Sequence, residues 1–156
     1  MAKVLVIRLS AIGDVAMTVP VIYSAAKANP EDSFTVLTQA FLMPLFMNRP
    51  PNVEVIGINT KGAEKGLIGL LKFISALLKF DFDVILDLHN VIRTIIICTF
   101  FRLNGKRVFV LDKARKERKR LTAIKGKRLY PLRPVIVCRC VSGCWVELYR
   151  NVYISL

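Results

Sequence analysis

The sequence lacks any run of about 18 uninterrupted apolar residues, although 54% of its 156 residues are hydrophobic and its mean hydropathy is +0.47. It therefore predicts no membrane-spanning helix. The first apolar run ends at Arg8 and is too short for the core of a signal peptide, so we expect a cytosolic protein. A high apolar content without long runs favours one domain built on strands that are buried on both faces.

Histidine is nearly absent, and cysteine is scarce outside the C-terminal region. The chain has one histidine, His89, and four cysteines, of which Cys138, Cys140 and Cys144 lie close together. In a reducing compartment such a cluster suggests a metal before it suggests a disulfide. The C-x-C-x3-C spacing matches no common zinc pattern, and no second histidine is available. We therefore predict no metal site.

Acidic residues are also few, with 11 Asp and Glu against 24 Lys and Arg, which gives a net charge of +13. Residues 102–133 hold most of the excess, because they carry thirteen basic and two acidic residues. Such a block implies an anionic partner: nucleic acid, an anionic membrane surface or a phosphorylated substrate. A solvated basic helix without a partner is the alternative. Nucleic acid is disfavoured, since the block contains no recognition motif and only Phe109 and Tyr130 as aromatic residues.

Apolar runs alternate with helical patterns along residues 3–111. We predict strands at 3–8, 33–38, 53–57, 83–88 and 106–111, and helices at 18–28, 39–48, 67–78 and 90–102. Thr18 is the expected N-cap of the first helix, with Pro20 in its first turn. Six residues of the third helix share one face, which we expect to pack on the core rather than on a membrane surface: Leu67, Leu70, Leu71, Ile74, Leu77 and Leu78. This alternation predicts an α/β fold, a Rossmann-like parallel sheet with helices on both faces and strand order 3-2-1-4-5.

Two polar clusters follow strands that are neighbours in that order. Residues 8–14 follow the first strand and residues 87–93 follow the fourth, so both should reach one crevice at the carboxyl edge of the sheet. The first cluster has a single glycine, Gly13, and is neither a dinucleotide fingerprint nor a Walker A loop. Gly13 instead suggests a tight turn or a close approach of the backbone to another group.

Each candidate residue also has a structural interpretation. Asp14 is either a helix cap or dipole partner, or a general base. His89 is either a hydrogen-bonding residue at a strand–helix junction or part of a site. Arg93 could pair with Asp87 or hold an anionic substrate group.

Three segments resemble family 9 glycosyltransferases, typically the ADP-heptose:lipopolysaccharide heptosyltransferases. They are VLVIRLSAIGDVAMTVPVIYSAAKANP, DVILDLHNVIRT and GKRVFVLDKARKERKRLT, which together cover about residues 3–133 in the order and spacing of the family. The first motif is specific, whereas the second alone is weak. The resemblance implies that residues 1–133 form the N-terminal, acceptor-side Rossmann-like domain of a GT-B fold.

The same resemblance implies roles for individual residues. Asp14 would be the catalytic base that deprotonates the acceptor hydroxyl, and Ser10 and Gly13 would shape its loop. His89, Asn90 and Arg93 would line the acceptor side. The basic residues Lys113, Arg115, Lys116 and Arg118 would meet acceptor phosphates of the lipopolysaccharide precursor or the anionic inner membrane. No cofactor is expected, because the donor nucleotide sugar, ADP-heptose, binds to the other domain of the family.

The sequence departs from the family after residue 133. Family members are more than twice this length, so the donor domain is missing and we expect the chain alone to be inactive. Residues 134–156 do not fit the family, but reading their codons one nucleotide later converts Trp145-Val146 into a glycine codon. With free third bases the segment then reads SYADVFRDAGLN, an amphipathic helix ended by glycine, as the family has here. We therefore expect a frameshift near residues 135–137, which makes the cysteine cluster accidental.

Two alternatives from other classes remain at this point. One is a small basic nucleic-acid-binding protein that uses residues 102–133. The other is an acceptor-binding domain without catalysis.

Overall fold

The computed structural model describes residues 1–60, 62 and 66–111, together with the backbone of two short strands farther along the chain. Five parallel strands form one sheet in the order β3-β2-β1-β4-β5. They are β1 (Lys3–Ile7), β2 (Ser33–Gln39), β3 (Val53–Ile58), β4 (Val84–Asp87) and β5 (Arg107–Val110). The predicted strands and their order are confirmed. The two later strands, β6 (Val137–Arg139) and β7 (Trp145–Glu147), pair antiparallel in a second sheet.

Helices cover both faces of the five-stranded sheet. Side chains of β1 alternate between two hydrophobic cores, with Val4 and Val6 in one core and Leu5 and Ile7 in the other. The first core is closed by α1 (Ile12–Ala28) and a 3-10 helix (Ala40–Phe46), and the second by α2 (Gly66–Leu78) and α3 (Ile92–Leu103). The predicted α/β architecture, with a parallel sheet between two helical layers, is therefore confirmed.

The predicted start of the first helix is wrong. Helix α1 begins at Ile12, six residues before Thr18, and its N-cap Ala11 makes no side-chain capping bond. Thr18 is buried, and its hydroxyl donates to the Val15 carbonyl oxygen at 2.6 Å. Pro20 consequently lies inside the helix, on its exposed surface. Thr18 and Pro20 look like start signals, but the helix actually begins at a residue without capping chemistry.

The predicted core face of the third helix is only partly buried. Leu70, Ile74 and Leu77 are buried in the core. Leu67 and Leu71 are exposed, contrary to the prediction. Helical periodicity identifies an apolar face but not how much of it a neighbour covers, so the helix carries more apolar surface than its core uses.

The 3-10 helix approaches β3 very closely at Gly57. A Cβ atom at Gly57 would lie 2.9 Å from the Ala40 Cα and 2.5 Å from the Met43 sulfur. Glycine is therefore required there for packing. Within the described residues, no helix is long and apolar enough to cross a bilayer.

The N-terminal end of β1 is fixed by two aspartates that directly precede β2 and β4. The Ala2 amide donates to Asp32 Oδ1 at 2.8 Å, and the Lys3 amide donates to Asp83 Oδ2 at 2.8 Å. The backbone donors at the start of β1 are thus satisfied by side chains, and β1 is the central strand because it pairs with both β2 and β4.

Candidate functional site

The two polar clusters, residues 8–14 and 87–93, lie side by side at the carboxyl edge of the sheet. Ile7 and Asp87 are register partners at the carboxyl ends of β1 and β4, and the Leu88 amide donates to the Ile7 carbonyl oxygen at 3.0 Å. Arg8 and Leu88 are therefore adjacent where the two strands end. This is the crevice at which parallel α/β sheets bind ligands.

Arg8 connects the two loops. One guanidinium nitrogen donates to the Leu88 carbonyl oxygen, and the other donates to the Asp14 carboxylate. The Arg8 side chain is 11% exposed and that of Asp14 is 48% exposed, so the cation is mostly buried while its anionic partner remains accessible. The Arg8 Nε is buried and has no hydrogen-bond partner among the described residues.

A second contact joins the loops at Ser10 and His89. The Ser10 hydroxyl oxygen lies 3.3 Å from His89 Nε2, in a half-buried position. Helix α3 has Val91 as its N-cap, so His89 does not cap that helix. Ser10, Asp14 and His89 are therefore brought to one place, as the sequence predicts, with Arg8 between them.

Asp14 lies in the first turn of α1, where a carboxylate interacts favourably with the helix dipole. The N-cap is Ala11, so Asp14 is not a cap. Gly13 precedes Asp14 in the same turn, and its φ is not positive. A Cβ atom at Gly13 would meet no other atom within 4 Å. The predicted tight turn at Gly13 is therefore wrong, because the residue is helical. Its open surroundings leave room for a ligand.

Asp87 organises the second loop from a buried position. Its Oδ1 accepts the His89 and Asn90 amides at 2.8 and 2.9 Å, and its Oδ2 accepts the Thr94 hydroxyl at 2.7 Å. The Cys98 sulfur lies 3.8 Å from Oδ2. The carboxylate is completely buried, so these donors take the place of water and fix the path of residues 88–91.

The Cys98 thiol is part of this buried network. Burial first, and the nearby Asp87 carboxylate second, raise the pKa of Cys98 to about 12. A thiol with that pKa is neither a nucleophile nor a metal ligand near neutral pH. Among the described residues, no group of three His, Cys, Asp or Glu side chains could hold a metal ion.

Asn90 and Arg93 differ in what they offer to a ligand. Asn90 has a φ of +45°, and its side-chain amide donates to the Leu111 carbonyl oxygen at 3.1 Å, which fastens the loop to the end of β5. Asparagine tolerates this left-handed backbone better than most residues do. Arg93 is half-buried in the first turn of α3, beside the same crevice. The remaining predicted residues, Lys113, Arg115, Lys116 and Arg118, lie outside the described residues.

Sequence reasoning did not identify the two residues that build the site. Arg8 and Asp87 belong to the predicted clusters, but neither was assigned a role within the site. A charged residue directly at the end of a buried strand is a usable signal, since such a side chain has to find partners within the loops. Which partners it finds depends on the fold.

No protein-family model matches the chain, and no curated protein matches it. Solved structures do match. A family 9 glycosyl transferase from Veillonella parvula has a TM-score of 0.58 and 23% identity, over 71% of this chain and 36% of that one. E. coli heptosyltransferase WaaC with ADP has a TM-score of 0.50 and 22% identity, over 69% and 33%. A ugt transferase from Siraitia grosvenorii in complex with UDP has a TM-score of 0.53 and 11% identity, over 72% and 28%.

The fold matches part of the GT-B glycosyltransferases. The resemblance to family 9 is thus confirmed at the level of the fold. The chain spans about a third of the length of these neighbours. The roles given to individual residues remain predictions.

Proposed function

We propose that this chain is the N-terminal, acceptor-side domain of a glycosyltransferase that moves heptose, or a related sugar, from ADP-heptose to the inner core of lipopolysaccharide. The observation that carries the proposal is the position of Asp14. Its accessible carboxylate is held by the mostly buried Arg8, at the carboxyl edge where β1 and β4 lie side by side. The fold around it matches glycosyltransferases.

Asp14 is the proposed general base. Its carboxylate accepts the proton of an acceptor hydroxyl while the hydroxyl oxygen attacks the anomeric carbon of the donor sugar. The bond between that carbon and the nucleoside diphosphate breaks, and the configuration is inverted. Arg8 fixes the carboxylate through one oxygen, and the exposure of Asp14 leaves it within reach of a sugar hydroxyl.

The acceptor lies along the two joined loops in this proposal. Ser10 and His89 offer hydrogen-bonding groups, and the open space at Gly13 admits a sugar. Arg93 and the basic residues of 113–118 bind anionic groups of the lipopolysaccharide precursor or of the inner membrane, at whose cytoplasmic face the protein acts peripherally. The donor nucleotide sugar binds to a second domain in this proposal, so residues 1–133 by themselves bind the acceptor without catalysing transfer.

Acceptor binding tests this proposal directly. We expect the chain to bind vesicles that contain a lipopolysaccharide inner-core precursor more tightly than phosphatidylglycerol vesicles of equal charge. His89→Ala should weaken that preference, whereas Asp14→Asn should preserve it. Equal binding to both kinds of vesicle contradicts the proposal. Steep salt-dependent binding to arbitrary RNA would instead indicate the nucleic-acid alternative.

Transfer is tested by adding a separately produced donor-side domain and ADP-heptose. We expect sugar transfer to the precursor in the mixture, detected by mass spectrometry, and a loss of at least about 100-fold with Asp14→Asn. Unchanged transfer by the variant rules out Asp14 as the base. Acceptor binding without transfer in any mixture would favour the non-catalytic alternative.

We also propose that residues 134–156 result from a frameshift. Sequencing of the gene tests this, because DNA downstream of codon 156 should then encode a nucleotide-sugar-binding domain in another frame. Retention of the same tail codons in several isolates would contradict it.

A further inference from the structure

Within the part of the chain that the structure describes, helices α2 and α3 expose several aliphatic side chains on their shared side of the sheet. Both pack on the same hydrophobic core, so they form one helical layer. Five aliphatic side chains in the first two turns of these helices are exposed: Leu67, Ile68, Leu71, Ile92 and Ile95. Ile68 is 75% exposed and Ile92 is 79% exposed. We call these five residues the apolar rim.

The apolar rim lies at the edge of the sheet where the candidate site opens. α2 follows β3 and α3 follows β4, and both strands are parallel. The first turns of both helices therefore lie beyond the carboxyl ends of the strands, as do Asp14 and His89. A surface that binds the apolar rim would consequently lie next to the proposed acceptor pocket.

The charge of this layer is of one sign. Neither residues 66–80 nor residues 90–106 contain an aspartate or glutamate. Lys72 is exposed on α2, Lys79 is exposed directly after the last residue of α2, and Arg102 is exposed on α3. Exposed aliphatic side chains on helices whose own charges are all positive are typical of helices that lie on anionic lipid.

We propose that the apolar rim binds the surface of an anionic membrane. The five aliphatic side chains enter the boundary between headgroups and acyl chains, and Lys72, Lys79 and Arg102 contact lipid phosphates. The proposal rests on the proposed function and deepens its membrane partner, since it adds a contact on described residues to the one proposed for residues 113–118. A lipid-linked acceptor in the same membrane would then reach the pocket directly.

Vesicles without any glycolipid test this proposal separately from the proposed function. Co-sedimentation of the chain is measured with phosphatidylglycerol/phosphatidylcholine vesicles and with pure phosphatidylcholine vesicles. The variants are Ile68→Ser/Leu71→Ser and Ile92→Ser/Ile95→Ser, which change exposed residues and keep the net charge. A matched control is Phe41→Ser/Met47→Ser, because both residues are exposed on or beside the 3-10 helix, in the opposite layer.

We expect each rim variant to bind the anionic vesicles at least about tenfold more weakly, because two aliphatic side chains no longer leave water. The control should remain within about twofold of the parent chain, which should bind pure phosphatidylcholine vesicles weakly.

Unchanged binding of the rim variants, or an equal loss in the control, overturns the proposal. A parent dimer that the rim variants convert to a monomer in sedimentation velocity also overturns it, since the rim would then bind a second copy of the chain. These vesicles contain no acceptor, so failure here is distinguishable from failure of the catalytic proposal.

Discussion

Asp87 is the last residue of β4, and Asp14 lies in the helix that follows the neighbouring strand β1. Their surroundings nevertheless give the two carboxylates opposite roles. Asp87 is completely buried, and its two oxygens accept hydrogen bonds from two backbone amides and the Thr94 hydroxyl. Asp14 is about half exposed and paired with Arg8. A carboxylate whose oxygens are fully used by the protein shapes a loop, whereas one that keeps access to solvent can meet a substrate. The strand order brings both residues to the crevice. The difference in burial makes Asp87 a structural residue and leaves Asp14 free to contact a substrate.

The largest expected effect is the loss of stability in Asp87→Asn. The asparagine amide nitrogen would replace a carboxylate oxygen that now accepts hydrogen bonds. The groups around it are donors, so at least one buried donor would lose its partner. We expect the free energy of unfolding to fall by about 3 kcal/mol, measured by urea denaturation. Asp14→Asn is the matched control and should cost less than about 1 kcal/mol, because its carboxylate is half exposed. Equal losses in the two variants would contradict the distinction between the two aspartates.

Two glycines extend the comparison from carboxylates to the backbone. In Gly57→Ala the new methyl would lie 2.9 Å from the Ala40 Cα, so the 3-10 helix has to move. We expect a loss of about 1–3 kcal/mol, seen as a lower melting temperature. Gly13→Ala meets no atom within 4 Å and should be neutral or stabilising by up to about 1 kcal/mol, since alanine favours a helix. Weaker acceptor binding by a stable Gly13→Ala variant would support ligand approach at that residue.

Cys98 reports on the Asp87 network through its reactivity. Since the pKa of its thiol is raised to about 12, we expect negligible alkylation by iodoacetamide in the native protein at about pH 8. The rate should rise about tenfold per pH unit while the fold persists. The measurement needs serine at the other three cysteines, with the guanidine-unfolded chain as control. Asp87→Asn should accelerate labelling, because it removes a nearby negative charge and loosens the packing. Rapid labelling of the native parent would show that the network is not closed.

The smallest expected effect concerns Asp81, at the edge opposite the site. Lys106 Nζ lies 2.6 Å from Asp81 Oδ1, and its hydrogen bond and charge lower the pKa of Asp81. A lowered carboxyl pKa stabilises the fold above the unfolded pKa, and this contribution disappears as the pH falls through the folded value. We expect Asp81→Asn to lower the melting temperature by about 1 °C at neutral pH and not at all near pH 2. Because the pair is exposed, about 1 M salt should also remove the difference. If the difference in melting temperature persists in about 1 M salt, the Asp81–Lys106 pair is less accessible to solvent ions than its exposed position indicates.

Much of the fold follows from the sequence. Strands that are buried on both faces appear in the sequence as continuous apolar runs, so β1, β2 and β4 are easily recognised. Their alternation with helices predicts a parallel sheet. The start of α1 could not be predicted, because Ala11 has no capping side chain and Thr18 imitates one. The exposure of Leu67 and Leu71 could not be predicted either, since periodicity describes a helix without its neighbours.

The candidate site was partly predictable for a related reason. Strand order alone brings the loop of Asp14 beside that of His89. The bridge made by Arg8 depends on a guanidinium that is buried between the loops, and the role of Asp87 depends on complete burial. Both are properties of packing in three dimensions.

The central position of β1 has a consequence for biosynthesis. Its first residues are held by Asp32 and by Asp83, and the second of these bonds spans 80 residues of chain. Of the five strands in this sheet, β1 is translated first, and it obtains its last neighbour only after β4 has been translated. Until then a nascent chain presents an apolar strand edge, and we expect ribosome-associated chaperones to bind it there.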